Sequence, residues 1–156
     1  FGSGAGNFSQ NGNLYTLDLG SVQQNAAALN STLFARNAVA GPADLLDGLF
    51  QFLDTPDFNE VFNNFSNLAA SSNSSALLLS LNTATVGSFS DSIVLHGTGH
   101  NGSGYSAAVN DITLLIRGTV RSGGTVPEPG TLVLLALALS LLLATRARRL
   151  GHPTGH

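Results

Sequence analysis

Two histidines stand four residues apart in His96-Gly97-Thr98-Gly99-His100, with Asp91 upstream and Asp111 downstream. Imidazole and carboxylate groups are metal-ligand types, but a site needs several donors converging on one point. An i, i+4 histidine pair converges on a helix, and here two glycines follow a strand-like run. Exposed loop histidines are therefore expected, and no metal is assigned. His152 and His156 repeat the spacing near the C-terminus and are read the same way. Asp54, Asp57 and Glu60 offer oxygens to calcium, yet the EF-hand order of ligands is absent, and the three suit the positive end of a helix better. Asp44/Asp47 and Asp54/Asp57 resemble glycosidase carboxylate pairs, which stand about 5–9 Å apart, but no pocket signature accompanies them. No serine sits in a Gly-x-Ser-x-Gly elbow. No catalytic residue and no cofactor is assigned, and an enzyme is not expected.

Composition narrows the class. The 156 residues are about one domain and contain no Cys, which excludes disulfides, thiolate zinc sites and thiol nucleophiles. Charged residues make up 10% of the chain, well under the usual share of about 25%. Residues 1–130 hold three arginines and nine acids, a net charge of −6, and the other three arginines follow an apolar run near the C-terminus. An acidic body lacks the basic footprint that phosphate backbones require, so nucleic acid is not an expected partner. Gly, Ser, Thr and Asn dominate the polar set, as in an extracellular β protein with uncharged loops. Asn-x-Ser/Thr at Asn7, Asn30, Asn64, Asn73 and Asn101 is mostly a product of that composition. There is no Met, so the true start is expected upstream of Phe1, and any export signal would lie on that part.

The elements that must position these residues read mostly as strands. Residues 1–13 are rich in Gly, Ser and Asn and read as a linker or the remnant of an upstream region. Leu14–Leu19 alternates and stops at Gly20, and a weaker strand is read within Ala27–Ala38. Gly41-Pro42 signals a turn. Leu45, Leu46, Leu49 and Phe50 fit a helical face, but Gly48 is costly in a helix, and a strand around Leu49–Leu53 is favoured. In Asp54–Asn67, Phe58, Val61, Phe62 and Phe65 fall at i, i+3, i+4 and i+7. With Thr55 as cap and Pro56 in the first turn, that predicts a short helix. Ala76–Leu81 reads as a buried strand. In Phe89–Leu95, Phe89, Asp91, Ile93 and Leu95 share one parity. Gly97–Gly104 reads as a glycine-rich loop, and Ile112–Val120 is the strongest strand pattern in the chain. Strands punctuated by turns with no βαβ rhythm predict an antiparallel β-sandwich over residues 14–121.

The C-terminal segment has a different character. Residues 122–130 form a linker in which Val126-Pro127-Glu128-Pro129 is held extended, because each proline removes an amide donor and restricts the residue before it. Such a segment can enter a protease cleft at little ordering cost. Residues 131–145 are almost wholly apolar and predict a transmembrane helix. From Gly130 to Thr145 the helix is about 24 Å long, short for a core of about 30 Å, a mismatch that thinning and snorkelling absorb. Arg146, Arg148 and Arg149 in the basic tail 146–156 place that end in the cytoplasm and the body outside.

Extended Val126-Pro127-Glu128-Pro129, a short apolar helix and the Arg146–Arg149 cluster, in that order, resemble the PEP-CTERM sorting signal of Gram-negative bacteria. The resemblance implies processing by an exosortase, a membrane-embedded, cysteine-transpeptidase-like enzyme. It also implies a life among exopolysaccharide-producing, biofilm-forming cells. Residues 150–156 run on past the arginines, where such tails usually stop sooner. Leu45–Gly48, Leu81–Ser90 and Gly104–Ser106 resemble, less specifically, the choice-of-anchor domains that precede such signals, which implies an Ig-like sandwich.

The expected protein is thus all-β: an Ig-like antiparallel β-sandwich with a short helical insertion, followed by one C-terminal transmembrane helix. Its expected route is transient residence in the inner membrane with the body in the periplasm, then release to the cell surface or extracellular matrix. Its expected role is structural. A carbohydrate-binding module for the exopolysaccharide is the first alternative, weakened by the absence of Trp and by having Tyr15 and Tyr105 alone as tyrosines. A hydrolase using Asp44 or Asp47 is the second.

Overall fold

The computed structural model describes residues 3–4, 6–41, 43–53 and 57–123. The sorting segment, the apolar run 131–145 and the tail 146–156 lie outside the described residues, as do Asp54, Thr55 and Pro56. Eleven strands are described: β1 Ser3–Gly4, β2 Asn7–Asn11, β3 Leu14–Gln23, β4 Asn30–Leu33, β5 Leu45–Phe52, β6 Phe58–Val61, β7 Phe65–Leu68, β8 Leu77–Leu81, β9 Gly87–His100, β10 Ser106–Ala108 and β11 Ile112–Arg121. They form two sheets. The smaller has the order β1-β4-β8-β6, and the larger β2-β3-β11-β9-β5-β7 with β10 added beside β9.

Alternation decides which side chains meet between the sheets. On β8, Leu77, Leu79 and Leu81 point inward while Leu78 is exposed. On β11, Ile116 and Val120 face in and Arg117 faces out. Leu17 and Leu19 of β3 and Ile93 of β9 complete the same buried cluster. The shared parity of Phe89, Asp91, Ile93 and Leu95 is the inward face of β9, so Asp91 is buried and its carboxylate accepts the Ser92 amide at 2.5 Å.

Several expectations are corrected. The helix predicted over Asp54–Asn67 is absent among the described residues, where Phe58–Val61 and Phe65–Leu68 are strands. The first pairs with β8 in the smaller sheet and the second with β5 in the larger. The chain therefore changes sheet between them. Phe58 and Phe62 are buried, and Phe65 lies across Gly48, where a Cβ would stand 2.2 Å from its ring. Val61, which a helix would have placed with them, is 53% exposed. Phe and Asn are mediocre helix formers, and the same spacing serves two four-residue strands at a corner.

The glycine-rich N-terminal stretch is not all linker, since residues 7–11 pair with β3 from Asn7↔Asp18 to Asn11↔Leu14. The loop read over Gly97–Gly104 is strand as far as His100. The turn is confined to Asn101–Tyr105, where the Asn101 side chain accepts the Ser103 amide and Gly104 takes φ +87°. The sandwich is not wholly antiparallel, because β3 and β11 run parallel, with Leu17 beside Ile116. A parallel pair needs a long connection, and here the rest of the body lies between its two members.

Candidate functional site

The side chains with the most chemical potential gather on the outer face of the larger sheet. His96 and His100 have even parity on β9 and point away from Asp91, on the opposite side of the sheet. The register sets His96 opposite Leu49 and His100 opposite Leu45. Residues two along on the neighbouring strand are within reach of a long side chain, which brings in Gln51 and Asp47. His96 bridges three strands' worth of chain: its Nδ1–H donates to Asp111 at 2.8 Å, and its Nε2 lies 2.9 Å from Gln51 Oε1. The carboxylate can only accept, so Nδ1 carries the proton. Nε2 is then satisfied by protonation or by the Gln51 amide turned to donate. His100 donates from Nε2 to Asp47 at 3.2 Å.

Asp47 has a second task. The pairing of β5 with β7 is irregular between Leu46 and Gly48, and Asn67 sits at φ 55°. The Asp47 carboxylate accepts the Asn67 amide at 2.7 Å. That bond is the main cause that holds its pKa below the ordinary value of 3.8; desolvation opposes it, and the His100 ring adds a smaller lowering effect. Next to it, Asp44 accepts from the Asn101 amide side chain at 2.8 Å. Tyr105, which closes the Asn101 turn, is 52% exposed.

These contacts sort the candidate residues. His96 and His100 are separated along a strand by roughly 13 Å, which is too far for one ion to bridge. Asp91 faces the other way. Asp111 belongs to His96 and Asp47 to His100, as two separate pairs. Asp44 and Asp47 each serve a different partner. Asp57 precedes β6 and Glu60 lies within it, and neither is in a helix. The histidines are strand residues in cross-strand contacts, which corrects the loop reading.

A second feature was not signalled by any motif. Between the sheets, at the end marked by Leu77 and Ile112, a cavity of about 270 Å³ remains. Its walls are mostly apolar, and Arg36 lines it from the connection between β4 and β5. That connection is pinned by Asn37. Its buried side chain donates to the carbonyls of Asp44 and Leu68, both at 3.0 Å, and its backbone bonds to Ser71 and Ser72. Neither Arg36 nor Asn37 stands out within Ala27–Ala38, because nothing local distinguishes them from other loop residues. The one usable sign is a lone arginine among apolar neighbours in Leu33-Phe34-Ala35-Arg36.

Comparison with known proteins adds one specific finding. Residues 125–149 match the PEP-CTERM protein-sorting motif. The matched span contains Val126, Pro127, Glu128 and Pro129 as well as Arg146, Arg148 and Arg149. The motif implies an exosortase-processed protein destined for the cell surface or exterior. No curated protein matches the chain. Among solved structures, SSP-19, an MSP-domain protein like family member in Caenorhabditis elegans, matches with a TM-score of 0.43 and 9% identity. The match covers 64% of this chain and 92% of that one. Among the described residues no helix is long and apolar enough to cross a membrane.

Proposed function

We propose that the chain is a non-enzymatic surface or matrix protein of a Gram-negative bacterium, working in the exopolysaccharide or biofilm matrix. In this reading residues 131–145 hold it in the inner membrane for a time. Arg146, Arg148 and Arg149 stay on the cytoplasmic side, and an exosortase acts at Val126-Pro127-Glu128-Pro129. The match of residues 125–149 to the sorting motif is the observation that carries the reading. The body supports a structural role by the way its acids are used: Asp44 and Asp47 satisfy Asn101, Asn67 and His100 and do not converge on a shared point. The Ig-like assignment belongs to the same proposal and rests on two facing sheets together with the choice-of-anchor resemblance.

Glu128→Ala tests it in a host that has an exosortase. Cell fractions probed for the body should show full-length protein accumulating in the membrane and its surface pool falling. Normal processing and display of that variant would overturn the proposal.

A carbohydrate-binding reading is the second. It is favoured by Tyr105, an exposed aromatic residue in the turn whose backbone bonds to Asn101. Exposed aromatic rings give sugars an apolar platform. Glycan-array binding that disappears in Tyr105→Ala would establish this reading, and equal binding by both proteins would remove Tyr105 from it.

A further inference from the structure

We infer that the cavity between the sheets is a binding site for a medium-chain carboxylate, with an unbranched acyl chain inside and the acid group at Arg36. The walls give the first part. Phe50 and Phe62 meet edge to face at 5.4 Å, Phe65 stands 6.1 Å from Phe50, and Leu95 and Leu114 supply aliphatic surface. A water needs two to four polar partners to settle in a cavity, and such walls provide few. Apolar contents are therefore favoured over solvent.

Shape gives the second part. The lining draws on Tyr15 of β3, Ile112 of β11, Ile93 of β9, Leu46 of β5 and Phe65 of β7. These are five neighbouring strands in the larger sheet, so four spacings of about 4.8 Å carry the cavity some 19 Å across the sheet. A volume of about 270 Å³ spread over that distance is long and narrow. It suits a flexible chain better than a compact ring. In size it is nearly twice a cavity of about 150 Å³ that takes benzene, which gives room for roughly ten carbons.

Charge gives the third part. Arg36 is exposed and also lines the cavity, and an arginine so placed can lay its stem on apolar surface and keep its charged head in water. Among the described residues no carboxylate pairs with it, and it is the one cation in the lining. The acid in the lining, Asp47, is already engaged by the Asn67 amide and His100. A planar, permanently charged guanidinium is suited to bidentate capture of a carboxylate.

The test uses the full chain in a fluorinated surfactant, whose tails mix poorly with hydrocarbon, titrated by calorimetry with decanoate and with decanol. Decanoate should bind saturably at one site with a negative heat-capacity change, the mark of apolar burial, and decanol about tenfold more weakly for want of the charge-assisted bond. Arg36→Gln should bring decanoate to the level of decanol and leave decanol unchanged. Ala35→Phe, which fills the lining, should abolish both, with a melting curve to show that the variant is folded. If that variant unfolds, the Arg36→Gln titration decides alone, since its side chain is at the surface. Equal binding of acid and alcohol by the unaltered chain, or undiminished decanoate binding by Arg36→Gln, would overturn the assignment to Arg36. Absence of saturable binding by both compounds would overturn the site.

Discussion

The two ends of the sandwich are built from the same strands and packed differently. At one end Leu79 and Leu81 of β8 meet Leu17, Leu19, Ile116 and Val120, and these are nearly or completely shielded from solvent. At the other end the same strands contribute Leu77, Tyr15 and Leu114, and about 270 Å³ remains between the sheets. Aliphatic side chains interdigitate to close the first end. Rings that stack edge to face against one another, and a connecting segment held off by Asn37, leave the second end open. Close packing and a partly open cavity thus differ by a few residues of travel along β8, β9 and β11, and each end should respond to mutation in its own way.

The largest contrast is expected from truncating leucines. Leu81→Ala should cost about 3–5 kcal/mol, because a fully buried leucine in a packed region leaves a new hole. Leu114→Ala should cost about 1–2 kcal/mol, since one of its sides already faces the cavity and has fewer contacts to lose. Urea unfolding of both variants measures the difference, and equal losses would mean that the open end is packed as tightly as the closed one.

Next in size is Asn37→Ala, which leaves the Asp44 and Leu68 carbonyls without their side-chain donor. A loss of about 2–3 kcal/mol is expected for two such bonds at a buried residue. The same unfolding measurement, together with faster proteolysis of the β4–β5 connection, checks whether this residue holds the open end in place.

The smallest effect is one of pH. Asp47 is held below the ordinary carboxylate value by the Asn67 amide and His100. Its charge therefore contributes stability that is complete above that ordinary value and is lost as pH falls through the lower folded one. The difference between the unaltered protein and Asp47→Asn should shrink as pH falls below about 4. A difference that does not change over the acid range would show that the amide bond, and not the charge, is what Asp47 supplies.

Some of this was written locally. Ile112–Val120 announces itself as a strand by β-branched content and Ala76–Leu81 by a short apolar run, and the shared parity of Phe89, Asp91, Ile93 and Leu95 is kept in β9, where the structure turns that face inward. The phenylalanines of Phe58–Phe65 misled, because a spacing of three and four also fits a chain that turns a corner between sheets. Composition misled at residues 7–11. Gly, Ser and Asn predict a linker, but an edge strand is stabilised by its neighbour β3, and its own side chains can stay exposed.

By itself, then, the sequence determined an all-β body and a sorting motif at residues 125–149, since both rest on local order: alternation in the one, and proline, apolar run and arginines in succession in the other. The tertiary structure alone decided which residues act together. His96 meets Asp111 and Gln51 across three segments, Asp47 meets His100 and Asn67 across strand pairs, and Arg36 lines an apolar cavity walled by strands of both sheets. The reason is physical. Strand register and the facing of two sheets bring together residues dozens of positions apart, and no spacing along the chain encodes that distance.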